Sequence, residues 1–299
     1  MYPRKINDSL WMLGNDYFHI YLIRGSRKCA LVETGVSATA DIVINQLSTL
    51  KVRPDFIIVT HPHSDHITGL DPLRRFLPGA VVIAGQGAKE FVTHPKAASS
   101  MIMEDRHVRD ELAVRGIKSR TDIMASPPSL SGCRIVRHKE ELALGGLTIA
   151  FQEALGHSPG NILVQIKDTN TLLVSDSLGN HYPGRGFFPT FFTGFNDYLA
   201  TIDRLEKFHP QKIGLAHNGF FETTETIGEV FRQAKQAAVD VRHHIMQSSS
   251  GNEAAVEEIF AFYYTDELAV YSPQNIKNCC RLLVRRIRES DTIQPSVPQ

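Results

Sequence analysis

The segment His61-Pro62-His63-Ser64-Asp65-His66 constrains this chain more than any other part of the sequence. It places three imidazoles and one carboxylate within six consecutive positions, directly after an apolar stretch. Side chains alternate along an extended chain, so His61 and His63 should face the same side. Apolar residues from 66 to 77 recur at helical spacing, which places Asp65 and His66 at the start of a helix. Such donors suit zinc, iron or manganese, and two donor pairs from one corner predict two metal ions.

Three further candidate ligands, His157, Asp176 and His217, each follow a short apolar run elsewhere in the chain. A sheet holds its strand ends rigidly, so reactive groups at those ends keep fixed positions. A histidine or aspartate in such a place is also common as a turn or cap residue. Together with the 61–66 segment, however, these three residues complete a set of seven donors.

In this order, the seven residues resemble the metallo-β-lactamase superfamily, whose hallmark is His-x-His-x-Asp-His followed by a histidine, a bridging aspartate and a final histidine. The resemblance covers about residues 8 to 220. It implies an α+β fold, an αββα sandwich with the metals at one edge. By the resemblance, the first metal is held by His61, His63 and His157, the second by Asp65, His66 and His217, and Asp176 bridges the two. Glu33 matches an acidic position at the end of an early strand and would orient a ligand.

Residue identities separate the branches of this superfamily. His63 stands where flavo-diiron oxygen reductases carry Glu, and Asp176 stands where true zinc β-lactamases carry Cys. Gly179 occupies the position of a tyrosine in acyl-homoserine lactonases. RNA-processing members usually have a basic face, whereas this chain has 32 acidic and 32 basic residues. The remaining resemblance is to glyoxalase II and to the aminobenzoylacetyl-CoA thioesterase of quinolone signalling, which also appends C-terminal helices.

The resemblance implies a hydrolase that cleaves a thioester or related ester. Two divalent ions, with zinc favoured over iron and manganese, would lower the pKa of a shared water to about 7. Asp65 would orient the resulting hydroxide and is the expected catalytic residue. The lack of a tyrosine beside Asp176 favours a thioester, because a thiolate departs without a proton. Two alternatives stay open: a persulfide-dioxygenase-like oxidoreductase with one iron, and a regulatory or binding protein that retains the metals.

The resemblance implies a catalytic domain over residues 1–222, and the apolar pattern predicts a helical extension over 223–299. Helix-prone residues 86–132 are interpreted as an insertion over the site or as an ordinary connecting helix pair. Aromatic residues crowd 182–195, where they form either a loop fixed to the core or an apolar wall for the substrate. Ser272 and Pro273 predict the start of the last helix. Strands are predicted at 10–13, 19–23, 29–32, 56–59, 81–84, 147–151, 162–166, 172–174 and 213–216, and helices at 40–50 and 197–208.

Composition indicates the setting in which the protein works. The formal net charge of zero gives no attraction to nucleic acid or to an anionic membrane. No apolar run approaches the ~20 residues that span a bilayer, and the N-terminal residues lack a signal segment. Four cysteines without framework spacing favour a reduced, cytoplasmic setting. The expected partner is a small-molecule acyl or thioester substrate, and a homodimer stays open.

Overall fold

Two β-sheets lie face to face between layers of helices in the computed structural model, which describes residues 2–117, 124–248, 251–265 and 268–292. The strands, β1 to β15 in chain order, are Arg4–Lys5, Leu10–Gly14, His19–Arg24, Cys29–Val32, Phe56–Ile58, Val81–Gly85, Arg134–Val136, Glu141–Ala143, Thr148–Glu153, Ile162–Ile166, Thr171–Ser175, Asn180–Tyr182, Gly186–Phe188, Lys212–Leu215 and Phe220–Phe221. The helices, α1 to α9, are Ala40–Thr49, Ser64–Ile67, Leu70–Phe76, Ala88–Thr93, Pro95–Val114, Phe195–Glu206, Thr224–Gln247, Asn252–Tyr263 and Pro273–Thr292.

The strand order brings the ends of distant strands to one edge. The first sheet runs in the order β1 to β7, with β4 to β7 parallel. The second sheet has the order β15-β14-β11-β10-β9-β8, and β11 and β14 are parallel neighbours. Backbone hydrogen bonds from Ile162 to Thr60 (2.8 Å) and from His19 to Ala216 (2.8 Å) join the two sheets at this edge. Residues that follow β5, β11 and β14 therefore meet there.

Strand β3 shows how the two faces of the first sheet are used. Ile20 and Leu22 pack with Val43 and Leu47 of the outer helix α1. Tyr21, which alternates with them, points into the apolar layer between the sheets. Side chains on successive strand residues point to opposite faces, so a central strand covered on both sides is apolar throughout. The resulting layers are helix, sheet, sheet and helix, which is the αββα arrangement that the sequence predicted.

The nine predicted strands and the two predicted helices are present, with ends that differ by at most two residues. The single helix expected from 66 to 77 is wrong: the chain forms α2 and α3, interrupted at Thr68 and Gly69. A Cβ atom on Gly69 would lie 2.1 Å from the carbonyl oxygen of Thr34, so the chain passes too close to that loop for any other residue.

The C-terminal helices share one apolar core with the second sheet. Phe231 of α7 is 1% exposed and belongs to the same cluster as Leu172 and Val174 of β11. The apolar residues that recur at three- and four-residue steps along α7 are all buried: Ile227, Val230, Phe231, Ala234, Ala238, Val241 and Ile245. The boundary at 222 stays a prediction. In the predicted insertion, α4 and α5 connect the parallel neighbours β6 and β7, and residues 118–123 lie outside the described residues.

Among the described helices, none combines the length and apolar character needed to cross a bilayer.

We expect Phe231→Ala to lower the free energy of unfolding by about 3–5 kcal/mol, because it leaves a cavity in the shared core. The midpoints followed by far-ultraviolet circular dichroism and by fluorescence of the single tryptophan, Trp11, should shift together. The matched control is Val239→Ala on the same helix, where the side chain is 45% exposed and the change should stay within about 0.5 kcal/mol. An unchanged Trp11 transition in Phe231→Ala would show that the C-terminal helices unfold separately.

Candidate metal centre

Three of the sequence-predicted ligands form an all-imidazole group. His61 and His63 follow β5, and His157 lies in the turn between β9 and β10. The Nε2 atom of His61 lies 3.1 Å from Nδ1 of His63 and 3.1 Å from Nε2 of His157. All three ring nitrogens lie within 4.8 Å of one another. The turn depends on Gly156, whose φ is +95° and where a Cβ atom would lie 2.3 Å from the backbone nitrogen of Tyr198.

The other four predicted ligands form a second group beside the first. Asp65 and His66 lie on α2, Asp176 follows β11 and His217 follows β14. The Oδ2 atom of Asp65 lies 3.3 Å from Nε2 of His66 and 3.3 Å from Nε2 of His217. These four donor atoms also lie within 4.8 Å of one another. The structure thus brings all seven predicted residues to one place.

Asp176 lies between the two groups. Its Oδ2 atom is 3.3 Å from Nε2 of His66, 3.8 Å from Nε2 of His157 and 4.0 Å from Nε2 of His61. Its Oδ1 atom is 3.5 Å from Nε2 of His217. The carboxylate is therefore close to histidines of both groups. This position fits a carboxylate that contacts two cations at once.

The donor atoms fit divalent cations in two respects: the distances between them and the lack of hydrogen bonds to several of them. Around a tetrahedral zinc with bonds of about 2.0–2.1 Å, neighbouring ligand atoms are about 3.3 Å apart. The measured separations of 3.1 to 3.5 Å within the groups agree with that spacing. The buried atoms Nε2 of His66, Nε2 of His217 and Oδ1 of Asp176 have no hydrogen-bond partner. Buried polar atoms rarely stay unsatisfied, so their convergence fits a site for a cation.

The buried carboxylates of the second group, Asp65 and Asp176, are negatively charged and need positive charge beside them. Burial opposes ionisation of Asp176, but the charges of His66 and His217 outweigh it and lower its pKa to about 2. The same balance holds the pKa of Asp65 well below its usual value. Burial lowers the pKa of His66, whereas the carboxylates of Asp65 and Asp176 raise it well above normal. A proton on His66 thus neutralises charge that a metal cation neutralises when bound.

The all-imidazole group has the opposite character. Burial and then the neighbouring histidines His66 and His63 hold the pKa of His61 well below its usual value. Burial, followed by the charge of His157, lowers the pKa of His63 to about 3. Burial also lowers the pKa of His157. Neutral imidazoles have a free lone pair, which is the form that binds a metal.

Hydrogen bonds to the far side of the rings fix their orientation. Nδ1 of His157 donates to the carbonyl of Thr190 (2.9 Å), and Nδ1 of His217 donates to the carbonyl of Tyr17 (2.7 Å). Nδ1 of His66 lies 3.0 Å from Oε2 of Glu33, which confirms the orienting contact expected from the sequence. These contacts keep the proton on Nδ1 and leave Nε2 as the metal donor.

Three of the seven described non-glycine residues with positive φ lie beside these ligands. Glu33, Ser175 and Asn218 have positive φ angles of 73°, 49° and 51° although none is glycine. Ser175 precedes Asp176 and Asn218 follows His217, so each strained residue adjoins or orients a candidate ligand. The hydroxyl of Ser175 donates to Glu33 (2.6 Å), as does that of Thr60 (2.7 Å). Such strain persists where surrounding contacts enforce it, and it is typical of functional sites.

A cavity of about 310 Å³ opens onto the donors, and its walls come from three parts of the chain. The predicted insertion contributes Phe91 and Met101, the aromatic segment contributes Phe188 and Phe192, and the C-terminal region contributes Ile276. Phe192 lies against the site, with its ring centroid 5.4 Å from that of His157. The aromatic segment is fixed to the core, where Phe187 and Phe191 are buried, and Phe188 and Phe192 also line the cavity. Its use as an apolar wall for a substrate stays a prediction.

Sequence reasoning missed Tyr271, whose hydroxyl donates to Oδ2 of Asp65 (2.7 Å). Position 179 is a glycine, as the sequence shows, but Tyr271 brings a phenol hydroxyl to the site from elsewhere in the chain. At Gly179, with φ of +96°, a Cβ atom would lie 2.5 Å from the carbonyl oxygen of Phe188, which excludes a side chain there. The tyrosine instead reaches the site from a segment almost a hundred residues further along the chain. Only the contact with Asp65, which no local pattern encodes, distinguishes Tyr271 from the other tyrosines.

Comparison with known proteins agrees with this geometry. The family model described as the metallo-beta-lactamase superfamily matches residues 17–217. The chain is 26% identical over 204 residues to the metallo-beta-lactamase fold-containing protein ST1585 of Sulfurisphaera tokodaii, a match that covers 67% of this chain and 72% of that protein. A shorter match of 31% identity over 96 residues covers 30% of this chain and 34% of a hydroxyacylglutathione hydrolase from Yersinia enterocolitica.

Among solved structures, the metallo-beta-lactamase family protein TTHA1429 from Thermus thermophilus has the same fold. The TM-score is 0.66 at 17% sequence identity, with 98% of each chain covered. The family model spans two thirds of the chain and contains all seven converging donors. The chain belongs to the metallo-beta-lactamase superfamily.

Proposed function

We propose that this protein is a binuclear metal-dependent hydrolase that cleaves a thioester or a related ester with an apolar acyl group. The observation that carries the proposal is the convergence of two complete donor groups on Asp176, at the floor of an apolar cavity. The short match to a hydroxyacylglutathione hydrolase supports the glyoxalase II side of the superfamily.

The residues have distinct roles in this proposal. His61, His63 and His157 would hold one cation, Asp65, His66 and His217 would hold the other, and Asp176 is placed to serve as a ligand to both. When bound, two divalent cations would supply the Lewis acidity that activates water and polarises a carbonyl group. Glu33 keeps His66 in the tautomer that leaves Nε2 free, and Asp65 orients the attacking nucleophile.

The cavity favours an apolar acyl group of moderate size. Phe91, Phe188 and Ile276 supply apolar walls, whereas Lys96 is an exposed cation among the lining residues. A cavity of about 310 Å³ lies at the small end of ligand pockets, which run from about 300 to 1,000 Å³. The acyl part of the substrate fits inside, and the leaving group extends towards the mouth.

The type of leaving group is inferred from the hydrogen bond that the Tyr271 hydroxyl makes. Tyr271 directs its proton to Asp65, so this hydroxyl is not free to protonate a departing group. A thiolate leaves without protonation because its conjugate acid has a pKa of about 8.5. The lack of a tyrosine at position 179 and the hydrogen bond that engages the Tyr271 hydroxyl therefore both favour a thioester over an oxygen ester.

We expect Asp176→Asn to reduce bound metal and activity together. Because Asp176 contacts both donor groups, kcat/KM should fall by more than about 100-fold, the upper loss for residues that only orient a ligand. Metal content by plasma mass spectrometry and turnover of a thioester measure the two effects.

The matched control is Asp8→Asn, whose side chain is 99% exposed and should keep both properties. A folded Asp176→Asn protein that retains two metals and full turnover would contradict the bridging role. One iron per chain together with oxygen uptake would instead identify the mononuclear oxidoreductase.

We expect a thioester to be hydrolysed with a kcat/KM about tenfold or more above that of the oxygen ester with the same acyl group, because only the alkoxide needs a proton to depart. A matched pair of such substrates isolates the leaving group, and a lactone and a phosphodiester complete the panel. Equal rates for the matched pair would exclude the thioester preference, and turnover of the phosphodiester alone would exclude the acyl substrate class.

A further inference from the structure

Tyr271 is held rigidly against the second donor group. The side chain is 6% exposed, and its ring packs edge-on against Phe18 and His217, each with centroids 6.4 Å apart. Its hydroxyl donates to Oδ2 of Asp65 (2.7 Å), the same oxygen that lies 3.3 Å from both His66 and His217. The hydroxyl thus contacts the oxygen that faces the two histidines of the second group.

The next residue, Ser272, anchors Tyr271 to helix α5. Ser272 donates through its backbone nitrogen to Oε1 of Glu104 (2.8 Å) and through its hydroxyl to Oε2 (2.6 Å). Glu104 lies on α5 and is 5% exposed. Its two oxygens therefore clamp the segment that carries Tyr271. Ser272 also caps α9 by accepting from the backbone nitrogen of Asn275 (3.1 Å), as the sequence predicted.

The neighbouring carboxylate connects α5 back to the ligand-bearing helix. Asp105 is 3% exposed and accepts hydrogen bonds from the backbone nitrogen of Ser37 (3.0 Å) and from the hydroxyl of Thr68. Thr68 is the C-cap residue of α2, the helix that carries Asp65 and His66. A closed ring of contacts therefore runs from Asp65 through Tyr271, Ser272, Glu104, Asp105 and Thr68 back to α2.

We propose that Tyr271 is a positioning residue for the second cation, delivered to Asp65 by the C-terminal segment and held there by Glu104. This inference rests on the proposed function only in requiring that Asp65, His66 and His217 hold a cation. Carboxylates rotate freely about their last bond, and a hydrogen bond to one oxygen fixes which oxygen faces the metal. The C-terminal segment then forms part of the metal centre as well as a wall of the cavity.

The test measures cation retention in the full chain. The zinc-loaded protein and its Tyr271→Phe variant are dialysed against graded concentrations of a chelator, and bound zinc is measured by mass spectrometry. We expect the variant to release the cation held by Asp65, His66 and His217 at about tenfold or more lower chelator strength, within the 10- to 100-fold loss typical of residues that orient ligands. The other cation and the melting temperature should stay close to those of the unchanged protein.

A second readout separates positioning from general structure. In the cobalt-loaded protein, the visible absorption of the second site should change in Tyr271→Phe, and kcat should fall while KM stays within about twofold. The matched control is Tyr263→Phe, which removes a hydroxyl from the same region where the ring packs on Phe188 at a centroid distance of 5.0 Å. The control should keep both cations as tightly as the unchanged protein does.

The outcomes separate this inference from the proposed function. Two cations held equally tightly by the unchanged protein and by Tyr271→Phe would overturn the inference alone. Fewer than two cations in the unchanged protein would overturn both. If Tyr271→Phe fails to fold, Glu104→Gln applies the same test by weakening the clamp on Ser272. Equal chelator resistance in that variant would overturn the inference, and selective loss of the cation held by Asp65, His66 and His217 would support it.

Discussion

The burial of Asp176 and Asp65 among four histidines is the constraint on which the rest of the site depends. A buried carboxylate is costly unless positive charge lies beside it. Here Asp176 lies within 4.0 Å of Nε2 of His61, His66 and His157, while donor atoms of His66 and His217 stay without hydrogen bonds. Side chains from separate loops and a helix start share this burial, so the fold must hold them in place against the cost of burying charge. Bound cations would supply the attraction that makes the arrangement stable.

The β-sandwich holds these side chains together at one edge. Parallel neighbours β4 and β5 end beside β11 and β14, so residues that follow them meet without long loops. The strained residues at 33, 175 and 218 show that local backbone preference is overruled there. Backbone strain and buried polar atoms without hydrogen bonds occur in the same small volume. This combination is difficult to explain by folding alone and is expected where function selects the geometry.

The sequence predicted what depends on local pattern. Strands Cys29–Val32 and Ile162–Ile166 match their predicted bounds because they are short apolar runs between turns. The seven donors could be found because motif spacing and strand ends are visible in the chain. The interruption at Gly69 and the arrival of Tyr271 were missed, because both arise from contacts between distant segments. Ser272 illustrates the limit of prediction from local pattern. Its role as a helix cap was predicted, whereas its hydrogen bonds to Glu104 appear only in three dimensions.

The central claim is that the seven side chains bind two cations that share Asp176. Crystallographic diffraction at wavelengths on both sides of the zinc absorption edge, from zinc-loaded protein, tests it most directly. The account predicts two anomalous peaks, one among His61, His63 and His157 and one among Asp65, His66 and His217, both in contact with Asp176. A single peak, or peaks away from these residues, would contradict it.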